Sequence, residues 1–201
     1  MKKIVLALCL LPLLAAGQAK KNLTSSERVF PKNDKIAELQ KAIGAHAQKY
    51  HTGNYTWRVY DILSGPDAGG IMITEKPGSW ADLDARSDIS AEHTADYVKN
   101  VAPLTTEKYS AFYGTYQEDL STVQLSDFAS KISIQHVFLK PGYVGDFENL
   151  LKKLKKVWEA SGQNVAVYSS SSSGPLQYMI VFRYKTGWAE RDNTFGGKNF
   201  S

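Results

Sequence analysis

Cysteine is almost missing from this chain. The single one, Cys9, lies within the first 19 of 201 residues. Everything after Ala19 is without a thiol, which excludes an internal disulfide, a thiolate metal site and a cysteine nucleophile there. Long apolar runs are scarce too. Only residues 4–16 form one, and a membrane span needs about 20 apolar residues. An excess of one charge is also lacking. Without Lys2 and Lys3, 24 basic residues become 22, against 20 acidic. That balance argues against nucleic acid as a partner, which calls for a strongly basic surface. There is no glycine-rich phosphate loop, no G-x-S-x-G elbow and no H-E-x-x-H pair.

What is present begins with "MKKIVLALCLLPLLAAGQA". Two lysines, a short apolar run and the small residues Gly17 and Ala19 read as a secretory signal peptide over residues 1–19. The run is too short for an uncleaved anchor. Leu8, before Cys9, is not the small residue a lipoprotein site wants. The expected mature chain starts at Lys20 and is periplasmic or secreted from a bacterium, with no membrane attachment after cleavage. Its 182 residues suit one large domain or two small ones.

The rest repeats itself. Val29-Phe30 returns as Val137-Phe138, Val59-Tyr60 as Val167-Tyr168, and Trp80-Ala81 as Trp188-Ala189. All three pairs lie 108 positions apart, and Gly65-Pro66 returns as Gly174-Pro175 at 109. Agreement on one lag in one order indicates an internal duplication. In the second copy, "KISIQHVF" alternates like a strand and stops at Pro141-Gly142. Phe147, Leu150, Leu151, Leu154, Val157 and Trp158 fall at helical spacing, with lysines opposite. Asp146 is placed to cap that helix and Gly162 to end it. Two further strands follow, "NVAVYSS" and "LQYMIVFRYK", with the serine run between them as a hairpin loop. Trp188 opens a second helix. The first copy follows the same order: a strand at "ERVF", a helix over residues 34–50, a hairpin, a helix from Trp80, a second helical piece at "SAEHTADYVKNV", and a tyrosine-rich strand.

Each copy is therefore βαββαβ, a ferredoxin-like unit whose helices cover one sheet face and leave the other in need of a partner. The predicted class is α+β: two tandem ferredoxin-like repeats, residues 20–125 and 126–201, packed as an intramolecular barrel. The second repeat lacks sequence for its last strand. An unpaired sheet edge of that kind could pair with another copy of the chain as a homodimer.

Element order, together with the strand followed by Trp80-Ala81-Asp82 and again by Trp188-Ala189-Glu190, resembles the dimeric α+β barrel superfamily. Its members include antibiotic-biosynthesis-monooxygenase-like, NIPSNAP-like and chlorite dismutase-like proteins. The resemblance covers most of the mature chain and implies a ligand cleft or barrel cavity. It also raises haem as a cofactor, because a helix histidine ligates iron in haem-degrading members. His46 lies on a helix face with Leu39, Ile43 and Tyr50, but the accompanying Asn and Trp cannot be placed. The helix over residues 146–161, where chlorite dismutase-like proteins carry their haem histidine, has none. No cofactor and no metal are expected on these grounds.

Arg58 and Tyr60 share a strand face one strand from Tyr178, and His136 alternates with Ile134 and Phe138. These four are the candidate ligand-binding residues, with Arg58 as anchor for an aromatic or acidic small molecule. The ordinary alternative is amphipathic strand packing, with His136 a buried, hydrogen-bonded histidine. Glu92, His93 and Asp96 have metal-ligand spacing, but on an exposed helix they read as a solvated face, and His51 reads as surface. Two functions remain open: a binding barrel without catalysis, or a cofactor-free or haem-dependent oxygenase-like enzyme.

Overall fold

The computed structural model describes residues 20–172 and 174–194. The signal peptide expected at 1–19, and residues 195–201 of the tail in which no last strand is expected, lie outside the described residues.

The first unit contains β1 (Leu23–Pro31), α1 (Ile36–Tyr50), β2 (Trp57–Asp61), β3 (Ile71–Glu75), α2 (Trp80–Asp84), α3 (Ala91–Asp96) and β4 (Thr105–Tyr116). One π turn, Tyr97–Val101, continues α3. The second unit contains β5 (Lys131–Phe138), α4 (Val144–Ala160), β6 (Val165–Ser170), β7 (Gln177–Tyr184) and α5 (Glu190–Thr194).

All seven strands join one antiparallel sheet in the order β2-β3-β1-β4-β6-β7-β5. Within it, β2-β3-β1-β4 is the ferredoxin-like order, and β6-β7-β5 repeats its first three members in the same arrangement. Among the described residues the second unit has no counterpart of β4. A narrow seam, Thr115↔Ser169 and Tyr116↔Tyr168, stitches the two units together. The repeat is visible in space. Tyr60 and Tyr168 occupy the second strand of their units, and Trp80 and Trp188 stand at the turn into the helix after the third. Arg28 and His136, 108 positions apart, meet across the barrel at 2.9 Å, as equivalent positions do when they face each other across a two-fold arrangement.

The acidic residue of each Trp-Ala-acid step has a local task. Ser79 Oγ accepts the Asp82 N–H at 3.1 Å, while an Asp82 carboxylate oxygen accepts the Ser79 N–H at 2.8 Å. This reciprocal cap satisfies two N–H groups that a helix start leaves open. Glu190 accepts from the Thr186 hydroxyl at 2.8 Å and from the Thr186 N–H, so the second copy keeps the carboxylate half of the device, while the Glu190 N–H goes to the Gly187 carbonyl at 3.2 Å.

Three apolar clusters hold the layers. Leu39 and Ile43 of α1 pack on Val29, Ile71 and Ile73. Leu151 and Trp158 of α4 pack on Val165, Val167 and Ile180. Between the units lie Tyr116, Ala166, Met179 and Val181. Burying one such large aliphatic side chain contributes about 1.5–3 kcal/mol. The inner face of α4 is narrower than its spacing predicts: Leu150 and Val157 are exposed, while Phe147, Leu151, Leu154 and Trp158 pack toward the sheet. Asp146 sits in the first turn without capping it, and Tyr143 is the cap residue. Gly162, at φ 70°, ends the helix, and the Gln163 N–H returns to the Trp158 carbonyl at 2.8 Å.

Residues 121–130 cross from β4 to β5, with the Thr122 N–H bonded to the Val165 carbonyl of β6 at 2.8 Å. The Tyr60 hydroxyl donates to the Ala129 carbonyl at 3.2 Å. Arg183 donates to the carbonyls of Gln124, at 3.0 Å, and Asp127. The connection is thus tied to β2 of the first unit and β7 of the second.

Candidate functional site

Between the two units is a cavity of about 70 Å³. Thr24, Ser26, Met72 and Thr74 line it from the first unit's sheet, with Tyr60, Phe112 and Gly114. Ile132, Ile134, Tyr168, Met179, Val181 and Arg183 line it from the second, and Phe128 closes one side. The cavity is small beside full ligand pockets, which run to about 300–1,000 Å³. Strand alternation puts these residues here, because every second side chain of the lining strands, β1 to β7, points inward.

The wall is apolar apart from a few groups. The hydroxyls of Thr24 and Ser26 are buried and have no hydrogen-bond partner among the described residues. Such groups are rare and costly when unserved. Arg183 is buried and donates at 3.0 Å to the Tyr168 oxygen, which leaves that phenol's own proton available. Arg58 lies over the Phe128 ring with its guanidinium carbon 3.0 Å from the ring centre, and its Nη1 is buried without a partner. Arg183 approaches the same ring at 5.3 Å, so two cations flank one aromatic face. Burial raises the Tyr60 phenol above its usual range, with Arg58 and Arg183 opposing the shift. Burial does the same to Tyr168, again opposed by Arg183. Both therefore stay protonated donors near neutral pH. No carboxylate and no imidazole stands among the described lining residues, so the site presents donors with no anion of its own.

Of the four residues singled out from sequence, only Tyr60 lines this cavity; Arg58 reaches its edge through the Phe128 ring. His136 shares the inward face but sits beyond the lining. Its Nε2 accepts from Arg28 at 2.9 Å and its Nδ1 donates to Gln177 at 3.0 Å, which occupies both ring nitrogens. Tyr178 faces the opposite way, against Phe147 of α4, and donates to Glu148 at 2.7 Å. On β7 it is Arg183, placed by the sequence on the far side from the Tyr178 set, that reaches the cavity. Tyr168 was detectable in the sequence as the repeat partner of Tyr60. Thr24, Ser26 and Phe128 carried no signal.

The other histidines depart further from expectation. His51 is buried, not at the surface, and His93 is half-buried rather than on a solvated face. Burial lowers the His51 imidazole to about 4.

No protein-family model matches the chain, and no curated protein matches it. Solved structures do. An anthrone oxidase-like protein superposes with a TM-score of 0.54 at 14% identity, covering 90% of this chain and 81% of its own. A presumed monooxygenase from Lactobacillus acidophilus gives 0.53 at 13% identity, covering 81% and 77%. Another from Fusobacterium nucleatum gives 0.53 at 12%, covering 80% and 75%. The likeness is one of fold: the chain shares the tandem ferredoxin-like architecture of these proteins, and no family is shown.

Proposed function

We propose that the barrel cavity binds a small, largely aromatic molecule carrying an anionic or carbonyl oxygen. The observation that carries this reading is the pair of buried, unpartnered hydroxyls, Thr24 and Ser26, in a largely apolar cavity lined by Arg183, with Arg58 against its Phe128 wall. An acceptor oxygen on the guest would receive hydrogen bonds from these hydroxyls and from the free Nη1 of Arg58. Its ring would lie against Phe112, Met179 and Ile134. Titration with benzoate and with uncharged toluene, followed by ligand-observed NMR, tests the reading. Saturable benzoate binding that weakens about two- to tenfold in Thr24→Val, the worth of one hydrogen bond, supports it. Equal binding of toluene, or an unchanged affinity in both Thr24→Val and Arg58→Gln, defeats it.

An oxygenase-like activity is the second reading. Its support is likeness of fold to proteins named for monooxygenase or anthrone oxidase activity, and one fold hosts many activities. Oxygen uptake on adding a bound aromatic guest would favour it. Export to the periplasm or beyond, and a homodimer formed at an open sheet edge, belong to the same proposal. They rest on the N-terminal pattern and on β2 and β5, each of which pairs with one strand only among the described residues.

A further inference from the structure

On the other face of the first unit's sheet, three histidines converge. His46 comes from the buried face of α1, His51 from the residue that ends α1, and His93 from α3. One nitrogen of each ring lies within 4.8 Å of one nitrogen of the other two.

The neighbours of the rings decide which nitrogens carry protons. His46 Nδ1 is 2.7 Å from an Asp96 carboxylate oxygen. His93 Nδ1 is 2.8 Å from an Asp88 carboxylate oxygen. His51 Nδ1 is 3.1 Å from the Tyr55 carbonyl. Every one of these partners is an acceptor, so each Nδ1 holds the hydrogen and each Nε2 of the neutral ring is a bare lone pair. His51 Nε2 and His93 Nε2 then face each other at 3.1 Å with no donor between them. His46 Nε2 is buried with no partner among the described residues. A proton shared by His51 and His93 would leave the His46 lone pair unserved. One cation at the centre serves all three.

We propose that His46, His51 and His93 bind one divalent transition-metal ion of the zinc class through their three Nε2 atoms. Neutral imidazole suits Zn²⁺, Co²⁺, Ni²⁺ and Cu²⁺. With Zn–N near 2.0–2.1 Å, tetrahedral geometry sets the nitrogens about 3.3 Å apart. The His51–His93 pair is already close to that, and the widest separation closes with side-chain rotation. Three protein ligands leave one position for water or a ligand.

The outer shell has the construction metal histidines use, with each far nitrogen donating to a carboxylate or carbonyl. Those acceptors are themselves held. Asp96 also accepts from Asn100 at 2.9 Å, and Asp88 accepts from Thr94 and from the Ile89 N–H at 2.8 Å. Trp57 stacks on His51 at 3.4 Å, and Tyr50 and Tyr97 pack on His46. The rings are thus fixed in orientation before any ion arrives.

The test takes the full chain, freed of metal by a chelator, and titrates it with Co²⁺ while following the visible d–d absorption. Zn²⁺ is then used to displace the Co²⁺. One Co²⁺ per chain is expected, displaced by one Zn²⁺. Asp88→Asn and Asp96→Asn should each weaken binding about 10–100-fold, and His93→Ala by more. His136→Ala should change nothing. Circular dichroism of the metal-free variants confirms folding, and half-buried His93 and the isosteric Asp→Asn changes are the mildest replacements. Failure to bind one Co²⁺ per chain overturns the proposal. So does wild-type affinity in folded His93→Ala.

Discussion

The two faces of the first unit's sheet hold groups with opposite needs. On the barrel side, Thr24, Ser26 and Arg58 offer hydrogens that nothing accepts. On the helix side, the Nε2 of His46, and the facing Nε2 atoms of His51 and His93, offer lone pairs that nothing donates to. Trp57 and Arg58 are neighbours on β2, yet Trp57 stacks on His51 while Arg58 lies over Phe128. Alternation along one strand therefore separates a place for an acceptor from a place for a cation. Buried polar groups are nearly always satisfied in folded proteins, so unserved ones of one sign, gathered at one point, indicate the sign of what is absent.

The largest effects should come from matched truncations in the two helix cores. Leu39 and Leu151 are both fully buried, one in α1 and one in α4. Leu39→Ala and Leu151→Ala should each cost about 2–5 kcal/mol by urea unfolding. Only Leu39→Ala should also lower Co²⁺ affinity, because α1 carries His46. An equal fall in both variants would mean the metal site reports global stability rather than local geometry.

Gly114 gives the converse contrast. A Cβ there would meet Met179 Cε at 3.2 Å and Tyr168 Cβ at 3.4 Å, so Gly114→Val fills the cavity. Overpacking of this kind costs about 1–3 kcal/mol. Benzoate binding should disappear while Co²⁺ titrates as in the parent. Benzoate affinity surviving Gly114→Val would move the guest out of the barrel.

A smaller effect is expected at Thr24. Leaving a buried hydroxyl unserved costs about 1–3 kcal/mol, so without ligand Thr24→Val should be neutral or stabilising by up to about 1 kcal/mol in a thermal melt. Clear destabilisation would show that the hydroxyl already has a partner.

The smallest concerns Asp67, which bridges Lys108 at 3.0 Å and Arg28 at 2.8 Å. The bond from Lys108, then the Arg28 charge, hold its carboxyl below 3.8. A depressed folded-state value means the unfolded chain binds the proton more readily. The contribution is thus complete above 3.8 and is lost as the pH falls further. Asp67→Asn should therefore flatten the acid end of the stability curve slightly, and an unchanged acid limb would contradict the pairing.

The repeat was legible because it recurs. The common lag aligned Tyr60 with Tyr168 and Trp80 with Trp188, and with them the succession of strands and helices along the chain. The facing of β7 was not legible. Its residues are buried on both faces, so no polar alternation says whether Tyr178 or Arg183 points inward. The histidine cluster was hidden for another reason. His46 and His51 stand more than 40 positions before His93 in the chain, and only the packing of α3 against α1 brings them together. The carboxylates on either side of His93 were visible, but they looked like a solvated helix until His93 was found half-buried. The connection over 121–130 showed no periodicity, and its role follows from tertiary bonds to Tyr60 and Arg183 alone.

The most direct test of two faces with opposite needs uses the chain's four histidines in one experiment. Side-chain ¹⁵N NMR, recorded with and without one equivalent of Zn²⁺, reports the protonated nitrogen and the coordinated nitrogen of each ring. Before metal, His46, His51 and His93 should all be Nδ1–H tautomers. On adding Zn²⁺, their Nε2 signals should move together, while His136 on the barrel side stays fixed. A spectrum in which any of the three carries its proton on Nε2 before metal, or in which Zn²⁺ moves His136 and leaves the three unchanged, would contradict the account.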